Sequence, residues 1–144
     1  EAGCPAVADP GAELVRLAHK NNIRIIPLVG PSSILLALMA SGLNGQQFAF
    51  NGYLPIESNA RISKIIELEK LSISRNQTQI FIEAPYRNQK LLEQLIKACS
   101  DSTNLCIASH LTFSNEMVAT RTVKEWNRSL PDINKIPTIF LLHG

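Results

Sequence analysis

Cysteine is scarce and unpatterned in this chain. Only Cys4, Cys99 and Cys106 occur among 144 residues, an odd number without a CxxC spacing. That excludes a disulfide framework and the usual zinc-site patterns, and no metal site is expected. The three thiols read as reduced side chains of a cytoplasmic protein. No block of five or more basic residues occurs, and the net charge is only +2. Bulk electrostatics therefore do not mark a nucleic-acid binder. A membrane span is excluded as well, because one needs about 20 apolar residues without backbone interruption. The longest apolar stretch, Ile23 to Leu43, is cut by Pro27, Gly30, Pro31, Ser32 and Ser33. Internal repeats and low-complexity segments are lacking too. So is an initiating methionine: the chain opens on Glu1 inside the turn-rich "EAGCPAVADPG". The expectation is a portion of a longer polypeptide, with part of any amino-terminal site missing.

What is there suits one soluble domain or part of a larger one, with 45% hydrophobic and 18% charged residues. A chain of this size can bury about 70% of its unfolded surface. Asp9-Pro10 predicts a helix start with Asp9 as N-cap, and Leu14, Val15, Leu17 and Ala18 form the apolar face of a helix ending near Asn21–Asn22. Ile23–Val29 predicts a buried strand. Ile34–Ser41 predicts a buried helix capped by Ser32 or Ser33 and closed by Gly42. "LNGQQ" marks a domain boundary. Strands follow at Gln47–Tyr53, Thr78–Ala84, Leu105–Ser109, Met117–Thr122 and Thr138–Leu142. Helices are expected over Ser58 to about Ser72, with Ile62, Ile65, Ile66, Glu69 and Lys70 at helical spacing, over Asn88–Cys99, and around Val123–Leu130. Alternating strands and helices give an α/β class with a mixed, partly antiparallel sheet flanked by helices. The loops "VGPSS", "EAPYR" and "HLTFSNE" fall at strand carboxyl ends, where such sheets gather ligands.

Each polar candidate has a plain structural reading beside its functional one. Gly3-Cys4-Pro5 and Asp9-Pro10-Gly11 are turn chemistry on physics alone. Glu83 and His110 close two apolar strands, as solvent-facing ends or as the walls of one pocket. Arg87 pairs with a carboxylate or holds a substrate. His19 compensates a helix dipole, Trp126 anchors a helix in the core, and His143 carries no weight.

The order of motifs adds a resemblance. "EAGCPAVADPG", "PLVGPSSILLALMASGL", "FAFNGYLP", "IFIEAPYR" and "IASHLT" resemble, in sequence and spacing, the tetrapyrrole-methylase-like class of S-adenosylmethionine (SAM) methyltransferases. The branch nearest in pattern methylates a ribose 2′-hydroxyl in small-subunit ribosomal RNA. The resemblance covers nearly the whole chain and implies two α/β domains with SAM in the cleft between them. Residues 1–44 would be the tail of the amino-terminal domain and residues 45–144 the carboxyl-terminal domain. Carried over by position, Ala2, Gly3, Cys4 and Val7 would approach the amino-acid and sulfonium end of SAM. Ser32 and Ser33 would meet it at a helix start, and Glu83 and Leu111 would frame the adenosine. The resemblance also implies ribosomal RNA or the small ribosomal subunit as substrate, and a homodimer. Departures from the family pattern are Glu1 for aspartate, Cys4 for threonine, Val29 for proline, Tyr86 for histidine and His110 for glutamate. The changes at Tyr86 and His110 bear on substrate choice. Glu1, Asp9 and His110 are candidate general bases, and none is assigned. A porphyrin-like acceptor and a non-enzymatic assembly or RNA-binding role stand as alternatives. The nearly all-apolar Ile34–Met39 should need covering by the missing domain or a second subunit, and this chain alone should bind SAM poorly.

Overall fold

A computed structural model describes residues 4–144, so the expectations at Glu1, Ala2 and Gly3 lie outside the described residues. Five strands form one sheet in the order β1-β2-β5-β3-β4: β1 (Phe48–Tyr53), β2 (Thr78–Ile82), β3 (Asn104–Ser109), β4 (Met117–Thr122) and β5 (Thr138–His143). β1 and β2 run parallel, and every other neighbouring pair is antiparallel. β2 and β3, separated by β5, therefore point the same way. The loops that follow β1, β2 and β3 consequently gather at one end of the sheet.

Side-chain alternation along the strands sorts the interior into two layers. Phe81, Leu105, Ile107, Phe140 and Leu142 face α3 (Ser58–Arg75), α4 (Asn88–Ala98) and α5 (Val123–Trp126). Ile80, Cys106, Ala108, Ile139 and Leu141 face α2 (Ser33–Ser41) through Ile34, Ala37 and Leu38. Trp126 is buried in the first layer, as expected, and its indole N–H donates to the Leu105 carbonyl at 2.8 Å. The Phe81 and Phe140 rings stack in the same layer, with centroids 5.9 Å apart.

One irregularity interrupts β1. Phe50 pairs with Ile80 but Tyr53 pairs with Ile82, so three steps on β1 match two on β2. Gly52 sits in this bulge at φ 63°, a conformation that suits glycine. The extra residue changes the side-chain parity. Phe50 packs in the α2 layer, whereas Leu54 is buried in the α3 layer.

Several local expectations differ from the structure. Helix α1 spans Ala12–Lys20 with Gly11, not Asp9, at its N-cap. The Ala6 N–H closes a turn onto the Pro10 carbonyl, which keeps Asp9 and Pro10 out of the helix. Ser32 occupies the N-cap of α2 but makes no side-chain capping bond, while Gly42 ends that helix in the left-handed region as expected. α5 stops at Trp126, because the Arg128 and Ser129 N–H groups bond to carbonyls three residues back and tighten the chain before Pro131. On α3 the buried stripe is Arg61, Ile65, Leu68, Glu69 and Ser72, so the expected face is rotated and includes two charged residues. Glu69 is held there by the Ser100 N–H and the Thr103 hydroxyl.

The largest difference is Ile23–Val29, which forms no strand. Most of its apolar side chains lie exposed, Leu28 at 85%, and Ile25 is half-buried. A strand exists only where a neighbour takes up its N–H and C=O groups, and no described segment pairs with this one. The apolar face of α1 is likewise uncovered among the described residues, which bury none of its side chains. On α2, Leu35 and Met39 are exposed, so the described residues cover only one side of that helix.

Burial in the core also settles thiol reactivity. Burial pushes the Cys99 thiol up to about 12, helped by the nearby Glu69 charge, and burial raises Cys106 as well. In the native protein a thiol-reactive dye should therefore label Cys4, which is only half-buried. All three should react in guanidinium; fast native labelling of Cys99 or Cys106 would show that the layers are looser than described.

Candidate functional site

A cleft of about 210 Å³ lies on the α2 side of the sheet, at the end where β1 and β2 terminate. Its floor is apolar, made by Phe50, Ile82 and Ile139. One wall is the segment Val7–Asp9 with Cys4, whose thiol donates to the Gly30 carbonyl at 3.5 Å. The other wall is Pro31, Ser32, Ser33 and Ile34 at the start of α2. The first N–H groups of a helix have no acceptor within it. With Ser32 making no side-chain cap, those of α2 remain available to an anionic or hydroxyl-bearing ligand.

Behind the strand end lies a buried ion network. Arg61 is 1% exposed. Its guanidinium donates to the Pro55 carbonyl at 2.7 Å, to the Ile56 carbonyl at 3.0 Å and to Gln94 Oε1 at 3.1 Å. Nη2 of the same group lies 3.3 Å from Glu83 Oε2. The other Glu83 oxygen accepts from Arg87 Nη2 and from the Ala84 N–H, both at 2.7 Å. Burial of the Glu83 carboxyl opposes ionisation. The Arg87 hydrogen bond, the Ala84 N–H and the charges of Arg87 and Arg61 outweigh it and hold its pKa below the ordinary value. Two cations on one carboxylate leave this corner with a surplus positive charge.

Four of the expected cofactor residues, Cys4, Val7, Ser32 and Ser33, line this one cleft. Ala2 and Gly3 lie outside the described residues. Glu83 follows the cleft residue Ile82, but its carboxylate is taken up by the two arginines. Leu111 lines a separate hollow with Leu36, Met39, Ala40, Thr112 and Glu116. Of the candidate bases, Asp9 lines the cleft. His110 sits at the same sheet end at φ 50°, its ring edge-on to Phe113 with centroids 6.2 Å apart. Reading the sequence missed Arg61 and the floor residues Phe50, Ile82 and Ile139. Arg61 stands four residues before Ile65 and seven before Leu68, on the stripe that α3 buries. That spacing is the signal that could have revealed it.

No protein-family model matches the chain. The fold agrees with that of the methyltransferase CobJ, at a TM-score of 0.63 over 99% of this chain and 62% of that one, with 15% identity. Among the chain's relatives is the protein named ribosomal RNA small subunit methyltransferase I. The form from Vibrio cholerae is 32% identical over 147 aligned positions, which cover 100% of this chain and 50% of that protein. The form from Mesorhizobium japonicum is 36% identical over 124 positions, covering 86% of this chain and 41% of that one. The chain thus spans about half the length, or less, of these relatives. These likenesses agree with the resemblance to tetrapyrrole-methylase-like methyltransferases that the motifs carry.

The ion network makes two expectations testable. Arg61→Met should lower the free energy of unfolding in urea by about 3 kcal/mol, the lower end for a broken buried pair because Arg87 stays on Glu83. Glu83 has a depressed folded-state pKa, so its contribution is complete above the ordinary carboxylate pKa and is lost as pH falls through the folded value. Glu83→Gln should therefore flatten the acid limb of the stability profile. An unchanged acid limb would remove Glu83 from the set of linked carboxylates.

Proposed function

We propose that the chain is a portion of a SAM-dependent methyltransferase that acts on a ribose 2′-hydroxyl of small-subunit ribosomal RNA. The observation that carries this reading is the cleft itself. Residues from two distant stretches, Cys4 with Val7 and Ser32 with Ser33, meet over an apolar floor at the sheet end. The names of the relatives supply the substrate. In this reading, residues 1–44 are the tail of the amino-terminal domain and residues 45–144 form the carboxyl-terminal one.

The residues present fit one side of a SAM site. Phe50, Ile82 and Ile139 offer the dry surface an adenosine needs, and Ser32, Ser33 and the free N–H groups of α2 offer hydrogen bonds to its polar groups. At about 210 Å³ the cleft is smaller than the roughly 300–1,000 Å³ of complete small-molecule sites, as expected of one wall. Bound SAM supplies an activated methyl group. This chain's part is to hold the cofactor, exclude water from it and present the acceptor hydroxyl in line. Ala2, Gly3, Glu83 and Leu111 belong to the same proposal by family position. A cytoplasmic homodimer completes it. Among the described residues no helix is long and apolar enough to cross a membrane. Exposed Leu35 and Met39 border a hollow with Phe48 that a second copy would cover.

Ser33 is exposed at the cleft and away from the buried face of α2. In the complete protein, Ser33→Phe should abolish SAM binding in a calorimetric titration while leaving the unfolding midpoint within a few degrees. Retained SAM affinity would remove the cleft from the cofactor site. Methyl transfer to small ribosomal subunits, with a porphyrin precursor as the competing acceptor, tests the substrate.

A further inference from the structure

The corner where β1 and β2 end carries groups that the cofactor cleft does not use. Tyr53 and Tyr86 are 65% and 64% exposed, and neither lines the cleft. Arg87 stands between these aromatics and the buried carboxylate. Nη2 is fixed to Glu83, Nη1 donates to the Tyr86 hydroxyl at 2.6 Å, Nε is buried without a partner, and the side chain as a whole is 25% exposed. The guanidinium carbon lies 4.9 Å from the centre of the Tyr86 ring. Tyr53 stands at the same strand end, because it pairs with Ile82, one residue before Glu83; the register gives it the face of Ile82. An ionised Tyr53 phenol would help hold Arg87 protonated, so the two side chains lie within range of each other. Lys135 adds an exposed cation, and its backbone N–H is bonded to the Pro85 carbonyl at 2.9 Å.

Exposed aromatic faces beside a fixed, partly exposed guanidinium are the elements that proteins use to hold single-stranded nucleic acid. Bases stack on the rings and a backbone phosphate takes the cation. We propose that Tyr53, Tyr86 and Arg87 form a binding platform for an unpaired RNA segment next to the methyl-transfer cleft. Tyr53 and Tyr86 stack bases, and Arg87 meets a phosphate while Glu83 and Arg61 hold it in place. The shared strand pair explains the proximity. Ile82 lines the cleft and Glu83 anchors the platform, so the two sites adjoin. Counting Glu57 at the α3 N-cap with Glu83, the cations Arg61, Arg87 and Lys135 still exceed the carboxylates by one at this corner, which favours the anionic backbone although the whole chain is nearly neutral.

This inference rests on the ribosomal RNA reading, and the experiment separates the two. The probe is a short fluorescein-labelled single-stranded oligoribonucleotide, followed by anisotropy with the complete protein. SAM titration and methylation of small ribosomal subunits are measured in parallel. Tyr53→Leu and Tyr86→Leu should each weaken oligonucleotide binding about ten-fold and lower kcat/KM for the ribosomal acceptor, with SAM affinity unchanged. Arg87→Gln should reduce the slope of log affinity against log salt by about 0.7, and Arg87→Lys should restore it. Both tyrosines are exposed, so their variants test the platform even if Arg87 variants fold poorly. Wild-type RNA affinity in the Tyr53→Leu/Tyr86→Leu double variant, with methylation of ribosomal subunits intact, would overturn the platform and leave the functional reading standing. A wild-type protein that neither binds the oligonucleotide nor methylates ribosomal subunits, yet binds SAM, would overturn both.

Discussion

One carboxylate shared between two arginines organises the working end of this sheet. Glu83 directly follows β2, Arg61 reaches it from α3, and Arg87 reaches it from the turn that leads into α4. Arg61 also takes up the carbonyls of Pro55 and Ile56, so the loop after β1 is fastened at the same point. Desolvating three charged groups is costly, and an arrangement of this kind adds little net stability over a well-packed apolar core. Its value lies in position. The paths of the chain out of β1 and β2 depend on a few directional bonds, and the cleft floor and the aromatic rim lie beside those paths.

The two sides of the sheet are finished differently. Toward α3, α4 and α5 the layer is closed, with aromatic stacking and a tryptophan fixed by its indole N–H. Toward α2 the cover is partial, and small residues such as Ala37, Cys106 and Ala108 let helix and sheet approach closely. The cleft lies at the margin of this thinner layer. A tightly filled layer on one side supplies rigidity, and an incompletely covered layer on the other leaves room for a ligand.

Much of this was legible in the sequence, for identifiable reasons. The strands at 78–82, 104–109, 117–122 and 138–143 are short, rich in apolar residues and bounded by turn residues, which marks them locally. Gly42 marks the end of α2 through a conformation that favours glycine. Ile23–Val29 misled because an apolar run announces a need for burial without naming a partner, and no described strand pairs with it. Arg61 was hidden because charge is ordinarily read as exposure. Its counter-ion lies 22 positions away on a strand that reaches α3 only through the tertiary fold. Within the candidate site, the glycine-proline-serine turn was recognisable as a ligand-facing loop. The floor beneath it combines β1, β2 and β5, and no local pattern joins those three.

The bulge at Gly52 carries an implication for how such a site can diversify. Upstream of it, β1 places Phe50 in the α2 layer; downstream, the next buried side chain, Leu54, falls in the α3 layer. The glycine therefore transfers the chain from one surface of the sheet to the other within a single step. Tyr53 takes its outward position from that step rather than from its own chemistry. Adding or deleting one residue here would exchange the groups offered to solvent at this corner and leave the remaining four strands untouched. Molecules built on the same sheet could thus alter what they recognise through strand length, a variable separate from the composition of the site.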